Sequence, residues 1–215
     1  RSWGADQDVL VSAPTSAGKT IVGLYGIFLA LRQGKRLFYT TPIKALSNQK
    51  YLELVELFGA ENVGLLTGDT AINGDAAIIV MTTEVLRNMI YAAAPLADLG
   101  YVVMDEVHYL SDHFRGPVWE EIIIHLDASV RLISLSATIS NANVFAQWLQ
   151  TLRGPTTVVS TSVRPVPLKH FMVSASGEIL PLFAKGEVGG HLNRALLAQA
   201  AQQVMPRRGR MPRRI

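Results

Sequence analysis

The 215-residue sequence contains no cysteine. Disulfide bonds, thiol nucleophiles and cysteine-ligated zinc are therefore excluded. No apolar run reaches the roughly 20 residues that span a bilayer, and the longest lies within residues 21–31. No basic segment followed by an apolar one opens the chain. A cytoplasmic protein with no membrane partner is therefore the expected case.

Excess positive charge is also absent from most of the chain, although the net charge is +3. Five arginines lie within residues 206–215, after the last acidic residue, Glu187. Without those ten residues, 15 basic residues face 17 acidic ones. Nucleic-acid binding by the folded part must therefore depend on local groups and not on bulk charge.

Residues 13–20 carry the strongest chemical signal in the sequence. They follow the short apolar run Asp8–Val11 and precede an apolar segment, Ile21–Leu31, that is long enough for a helix. A strand, a tight loop ending in Gly-Lys-Thr and a helix form the layout of a phosphate-binding loop. The predicted nucleotide contacts are Ala13, Pro14, Thr15, Ser16, Ala17, Gly18, Lys19 and Thr20.

Each residue type in this loop suits a phosphate group. Gly18 allows backbone N–H groups to turn towards the ligand, and the helix start adds free N–H groups. Lys19 is expected to reach the β and γ phosphates of ATP, and the Thr20 hydroxyl to ligate Mg²⁺. Ala13 stands where the general pattern has its first glycine, which weakens the generic match. A chance Gly-Lys-Thr in a loop is the alternative interpretation.

Apolar runs alternate with helix-like segments along most of the chain. The expected strands are residues 8–11, 37–40, 63–66, 77–81, 101–104, 132–135, 157–159 and 169–173. The expected helices are residues 21–31, 42–58, 83–91, 141–149 and 191–204. This alternation predicts a mainly parallel sheet covered on both faces, a three-layer α/β domain. Residues 174–190 lose periodicity and are predicted to be a linker, and the Arg-rich end of residues 191–215 is predicted to be disordered.

The residues Asp105-Glu106-Val107-His108 directly follow the apolar run Tyr101–Met104. Ligands of open parallel sheets bind outside the carboxyl ends of the strands, so these carboxylates are expected at the same edge as the phosphate loop. Asp105 is expected to hold Mg²⁺, directly or through water, and Glu106 to orient and deprotonate the attacking water. A pair of surface carboxylates at a strand end is the alternative.

Together with residues 13–20, the Asp-Glu-Val-His motif resembles the DExH-box branch of superfamily 2 helicases. Further segments match that family in order, at residues 41–49 (its motif Ia), 66–69, 81–89 and 135–138 (its motif III). Residues 115–120 and 164–167 are similar to the superkiller and exosome-associated RNA helicases and, among bacteria, to the actinobacterial HelY-type helicases. The resemblance covers roughly residues 9–173. It implies a RecA-like P-loop NTPase domain, the first lobe of a helicase.

The resemblance also implies roles for other residues. Ser136 and Thr138 would link the ATP site to the nucleic-acid site, with helix capping as the alternative. His108 would pair across to a second lobe, with a solvent-facing histidine as the alternative. The implied contacts with single-stranded or partly duplex RNA or DNA are Pro42, Lys44, Thr67, Gly68, Asp69, Thr82, Thr83 and Arg87. Hydroxyls, cations and helix N-termini suit phosphate contacts, whereas a solvated helix face is the alternative for Lys44 and Arg87.

The second RecA-like lobe of the family, with ~150 residues, does not fit into the 77 residues after Thr138. Nothing there resembles the arginine-finger segment of that lobe, and Gln7 lies too close to the first strand to be the family's adenine-contacting glutamine. Residues 1–173 are therefore expected to form a first lobe without its adenine-binding segment. Weak nucleotide binding and slow hydrolysis are expected of this chain alone.

The expected function is that of the ATP-binding lobe of an ATP-dependent DExH-box helicase acting on RNA or DNA. A DNA-repair helicase with the same motifs is an alternative within the class. A non-catalytic module that binds nucleotide, nucleic acid or a partner is an alternative from another class. Nucleotide kinases and ABC-type ATPases share the phosphate loop, but the later motifs in this order do not fit them.

Overall fold

The computed structural model describes residues 7–113, 116–137, 142–174, 177–184 and 190–204. The chain divides into two compact units, Arg1–Arg164 and Pro165–Ile215. The first unit contains an eight-stranded sheet with helices, and the second contains a two-stranded sheet and one helix.

The first unit alternates strands and helices along the chain. Its strands are β1 (Asp8–Ser12), β2 (Arg36–Thr41), β3 (Val63–Leu66), β4 (Ala71–Ile72), β5 (Ile78–Thr82), β6 (Leu99–Met104), β7 (Arg131–Ser136) and β8 (Thr156–Ser160). Its helices are α1 (Lys19–Arg32), α2 (Lys44–Phe58), α3 (Thr83–Tyr91), α4 (Gly116–His125) and α5 (Ala142–Arg153). A short 3₁₀ helix, Val107–Ser111, follows β6.

The eight strands lie in the order β4-β3-β5-β2-β6-β7-β1-β8. Every neighbouring pair is parallel except β3 with β4. Parallel neighbours need crossover connections, and helices serve in most of them. Because the seven parallel strands point the same way, their carboxyl ends meet at one edge of the sheet. The predicted three-layer α/β fold with a mainly parallel sheet is confirmed.

Both faces of the sheet are covered by a buried apolar core, which is why the strands consist of nearly continuous apolar runs. One core contains Leu37, Tyr39 and Val103 together with residues of α1 and α2. The other contains Phe38 and Val102 with residues of α3, α4 and α5. These residues alternate along β2 and β6, as the pleat requires.

Three elements of the first unit are not among those predicted from the sequence: the 3₁₀ helix, helix α4 and strand β4. Helix α4 begins at Gly116 and buries Trp119, which is 1% exposed, in the core. Trp148 lies partly buried against the same core. Strand β4 has only two residues and depends on its antiparallel pairing with β3, and so short a strand leaves no periodicity to detect.

In the second unit, β9 (Phe171–Val173) pairs antiparallel with β10 (Ile179–Pro181), and α6 spans Arg194–Val204. Strand β10 lies within residues 174–190, which are predicted to be a linker. Part of that segment therefore belongs to a hairpin whose strands are joined by backbone hydrogen bonds. The predicted boundaries at residues 173 and 190 stay predictions. Residues 205–215 lie outside the described residues. Among the described helices, none has the length and hydrophobicity to span a membrane.

Candidate active site

The loop between β1 and α1 forms a tight turn at the carboxyl edge of the sheet. Gly18 precedes α1 with a φ of 81°, a left-handed conformation that glycine adopts without strain. A Cβ at Gly18 would come no nearer than 3.8 Å to Ile21 Cδ1, so backbone conformation, not space, requires glycine here. The N–H of Ala13 donates to the carbonyl of Ser136 at 3.1 Å, which ties the loop to the end of β7.

Lys19, the first residue of α1, folds back over this loop. Its Nζ donates to the carbonyl oxygens of Ala13 at 2.9 Å and Pro14 at 3.1 Å. The next residue, Thr20, is half-buried at the helix start, whereas Thr15 is exposed. An ammonium group, free N–H groups at a helix N-terminus and a hydroxyl are therefore concentrated in one turn. This set of donors fits the charge and oxygens of a phosphate chain.

Asp105 follows β6, and both of its carboxylate oxygens accept hydrogen bonds. The hydroxyl of Tyr39 donates to Oδ2 at 2.8 Å, and the N–H of Glu106 donates to Oδ1 at 2.9 Å. The N–H of Asp105 donates to the carbonyl of Thr40 at 3.0 Å, which continues the pairing of β2 with β6. Tyr39 was not predicted as a site residue, because its place in an apolar run indicates only a buried strand residue.

Tyr39 remains a hydrogen-bond donor at neutral pH. Its side chain is fully buried in β2. Burial, followed by the negative charge of Asp105, raises the pKa of the Tyr39 phenol well above its ordinary value. Both effects disfavour the phenolate, so the proton stays on the hydroxyl that faces Asp105.

Glu106 has a left-handed backbone with a φ of 57° and directly precedes the 3₁₀ helix. Such a conformation is uncommon for residues other than glycine, and it recurs at active sites. His108 Nδ1 lies 3.2 Å from Glu106 Oε2, and both side chains are about one third exposed, at 35% and 34%. The Glu106 carboxylate is therefore accessible to solvent at the sheet edge.

The structure brings Lys19 and Asp105 to the same edge and the same face of the sheet. Helix α1 packs across β2, β6 and β7. Tyr39 lies in the core beneath α1, and its hydroxyl contacts Asp105. The carboxylate of Asp105 and the hydroxyl of Thr20 are hard oxygen donors of the kind that Mg²⁺ prefers, so these residues fit a magnesium ion bound with phosphates.

Ser136 ends β7 and is completely buried. Within the described part of the chain, its Oγ has no hydrogen-bond partner. Its neighbour on β1, Ser12, donates to the carbonyl of Ala137 at 3.3 Å. Thr138, the other residue of this predicted link between sites, lies outside the described residues.

Several of the predicted nucleic-acid contacts line one open cleft at the carboxyl edge. The residues of that cleft include Pro42, Lys44, Gly68, Asp69 and Thr82. Lys44 Nζ donates to Asp69 Oδ2 at 2.5 Å, and Thr67 Oγ1 donates to Asp69 Oδ1 at 3.1 Å. These two hydrogen bonds, the one from Lys44 first, lower the pKa of Asp69. Asp69 thus holds the Lys44 ammonium in the cleft.

Two further predicted contacts, Thr83 and Arg87, are also engaged within the protein. The buried hydroxyl of Thr83 donates to the carbonyl of Thr41 at 3.1 Å. Arg87 Nη2 donates to Asn88 Oδ1 at 3.1 Å, and its Nε lies 3.8 Å from Glu121 Oε2 on α4. These contacts use the hydroxyl proton of Thr83 and part of the Arg87 guanidinium.

A parallel sheet with a phosphate loop after β1 and an acidic pair after β6 defines a RecA-like P-loop NTPase domain. The chain belongs to the DEAD/DEAH box helicase family, whose sequence profile matches residues 2–145. The predicted resemblance to DExH-box helicases is therefore confirmed.

Curated relatives belong to the predicted subgroup of HelY-type and exosome-associated helicases. The chain is 55% identical over 199 residues to the probable helicase HelY of Mycobacterium tuberculosis, covering 91% of this chain and 22% of that protein. It is 50% identical over 179 residues to the exosome RNA helicase MTR4 of Homo sapiens, covering 82% and 17%. The chain thus spans about a fifth of the length of these relatives.

Solved structures share the fold at lower identity. The Hef helicase domain of Pyrococcus furiosus matches with a TM-score of 0.59 and 21% identity, covering 73% of this chain and 36% of that one. The helicase MrfA bound to DNA and AMPPNP matches with a TM-score of 0.59 and 22% identity, covering 73% and 25%. These likenesses show a RecA-like helicase fold.

Proposed function

We propose that this chain is the ATP-binding lobe of an ATP-dependent DExH-box helicase that moves along and unwinds RNA or DNA. One observation carries the proposal. The Lys19 ammonium lies inside the phosphate loop, at the same edge and face of the sheet as the doubly hydrogen-bonded Asp105. Phosphoryl transfer needs this combination of a phosphate cradle and an acidic metal site.

In this proposal each residue has one task. The N–H groups of the loop and of the α1 start bind the phosphates, and Lys19 leaves its carbonyl partners to contact the β and γ oxygens. Thr20 and Asp105 hold Mg²⁺, which neutralises phosphate charge when bound. Glu106 orients a water molecule and takes its proton as the water oxygen bonds to the γ phosphorus and the bond to ADP breaks.

The other predicted site residues extend the proposal to the partners of this lobe. The buried Ser136 hydroxyl, with Thr138, connects the ATP site to the open cleft that contains Lys44. His108 pairs with a second RecA-like lobe. That cleft holds single-stranded or partly duplex nucleic acid through its phosphates. A cytoplasmic location stays a prediction.

The proposal is tested by Lys19→Ala and Glu106→Gln, with Lys35→Ala and Glu56→Gln as exposed controls outside the site. Binding of a fluorescent ATP analogue and release of phosphate are measured. Lys19→Ala is expected to weaken nucleotide binding by about 100-fold, because it removes charge-assisted hydrogen bonds to phosphate. Glu106→Gln is expected to bind like the wild type and to lose hydrolysis. Loss of binding in Glu106→Gln would show that Glu106 is not the base.

A non-catalytic binding module is the alternative from another class. A catalytic lobe and a binding module are distinguished by one experiment. The second RecA-like lobe of a relative, expressed by itself, is added to this chain, and ATP hydrolysis is measured with and without RNA. A catalytic lobe gains activity because an arginine finger is worth ~10³–10⁵ in rate, whereas a pure binding module gains nothing. Helicase-like turnover by this chain alone would contradict the expected slow hydrolysis. Competition between RNA and DNA strands separates an RNA helicase from a DNA-repair helicase.

A further inference from the structure

We propose that Tyr39 is a positioning residue for the magnesium-binding carboxylate of Asp105. The inference rests on the proposed function and deepens it. In this proposal Tyr39 itself contacts no phosphate, metal ion or water molecule. Its task is to hold one carboxylate oxygen of Asp105, so that the lone pairs of the carboxylate that accept no hydrogen bond face the proposed nucleotide site.

The Tyr39 ring has a fixed position. Its side chain is 0% exposed within the core beneath α1. A Cβ added at Gly23 of α1 would lie 3.1 Å from ring atom Cε2, so the helix backbone packs closely against the ring. The Lys50 ammonium lies 5.4 Å from the ring centroid. A ring held on these sides has little freedom, and its hydroxyl therefore has a defined direction.

The sheet register aims this hydroxyl at Asp105. Tyr39 pairs with Val103 across β2 and β6, two residues before Asp105, and residues two apart lie on the same face. A phenol is long enough to reach along the strand from Tyr39 to Asp105, where its hydroxyl donates to Oδ2 at 2.8 Å. The strand position and the ring length together create the contact.

The contact leaves the carboxylate of Asp105 few orientations. The N–H of Glu106 holds Oδ1 and the phenol holds Oδ2, so rotation of the carboxylate breaks at least one hydrogen bond. Partners that orient a metal-binding side chain in this way typically change metal affinity or activity by 10–100-fold. Phenylalanine at residue 39 would keep the packing and remove only this hydrogen bond.

The chain offers a matched control. Tyr101 on β6 is also buried, at 1% exposure, in the same core. Its hydroxyl accepts a hydrogen bond from Gln33 Nε2 at 3.0 Å, near the amino end of β6. Tyr101→Phe therefore removes the same group at a similar depth and at the end of the strand away from Asp105.

The test measures binding of a fluorescent ADP analogue to the full chain over a range of Mg²⁺ concentrations and in EDTA. Tyr39→Phe is expected to raise the Mg²⁺ concentration for half-maximal enhancement of binding by about tenfold. Its affinity in EDTA is expected to stay within about twofold of wild type. Tyr101→Phe is expected to match wild type in both measurements. In an Asp105→Asn background, Tyr39→Phe is expected to have no further effect, because the two groups act as one unit.

The outcomes separate the inference from the proposed function. If wild type shows magnesium-dependent binding and Tyr39→Phe titrates like it, the inference is wrong and the proposed function stands. If wild type binds no nucleotide, both are wrong. An equal shift in Tyr101→Phe, or additive effects with Asp105→Asn, would also overturn the inference. Should Tyr39→Phe not fold, Gly23→Ala replaces it, because a Cβ 3.1 Å from ring atom Cε2 requires the ring to shift by a few tenths of an ångström. A higher Mg²⁺ requirement then supports the inference, and an unchanged one overturns it.

Discussion

At the scale of single residues, the left-handed backbones of the site, at Ser16, Gly18 and Glu106, differ in their cost. Gly18 adopts its φ of 81° freely, whereas Glu106 adopts a φ of 57° against steric repulsion. Strain of this kind costs about 1–3 kcal/mol, and it persists where the surrounding structure enforces it. At Glu106 it turns the chain after β6 into the 3₁₀ helix and leaves the carboxylate accessible to solvent.

Lys44 is the residue of the cleft whose role is easiest to measure. Lys44→Ala is expected to weaken binding of single-stranded RNA equally for different sequences, because an ammonium contacts phosphate and reads no base. The slope of log affinity against log salt concentration is expected to fall by about 0.7, the value for one phosphate contact on a single strand. Fluorescence anisotropy of a labelled oligonucleotide at several salt concentrations measures both.

Lys35→Ala is the control for this measurement, since Lys35 is exposed and directly precedes β2 at the amino end of the strand. The prediction is wrong if the two variants have the same salt dependence. It is also wrong if Lys44→Ala alters the preference between oligonucleotide sequences.

At the scale of secondary-structure elements, a buried ion pair joins β1 to α5. Arg153 Nε donates to Asp8 Oδ2 at 2.8 Å, and each side chain is 3% exposed. Asp8 Oδ1 accepts from the N–H of Leu132 on β7 at 2.9 Å. Arg153 also donates to the carbonyls of Leu126 at 2.8 Å and Val130 at 2.6 Å. The Arg153–Asp8 pair thus connects α5, the strands β1 and β7 and the loop after α4.

Arg153→Met is expected to lower the free energy of unfolding by about 3–5 kcal/mol, because it leaves the Asp8 carboxylate buried without its cation. Urea denaturation followed by circular dichroism measures the change. Arg32→Met, at the exposed end of α1, is expected to change stability by less than about 0.5 kcal/mol. A loss below about 1 kcal/mol in Arg153→Met would show that solvent reaches Asp8 and that the pair is not essential to the fold.

At the scale of the whole molecule, every described residue of the proposed nucleotide site lies in the first compact unit. A chain of residues 1–164 is therefore expected to bind the ATP analogue with an affinity within about twofold of the 215-residue chain. The measurement is the binding titration used for Lys19→Ala, with circular dichroism to check that the shorter chain is folded. Loss of nucleotide binding by a folded 1–164 chain would place a necessary contact in the second unit.

The order of strands and helices in the first unit was largely predictable. Strands buried on both faces need apolar residues at successive positions, and the runs at β2, β5 and β6 have them. Helix α4 was missed although Val118, Trp119, Ile122 and Ile123 recur at helical spacing. Its apolar run Ile122–Ile124 is equally typical of a strand, so periodicity there is ambiguous.

The sequence by itself was enough to identify the phosphate loop of residues 13–20 and the acidic pair Asp105–Glu106, from residue types and their spacing. Each is a local motif next to a strand end, and the chemistry of its groups can be inferred without knowledge of the fold. Only the tertiary structure decided which partners hold those groups. The bonds of Tyr39 to Asp105 and of Asp8 to Arg153 join residues 66 and 145 positions apart. Such pairs depend on strand order and register in the parallel sheet, which no local pattern encodes.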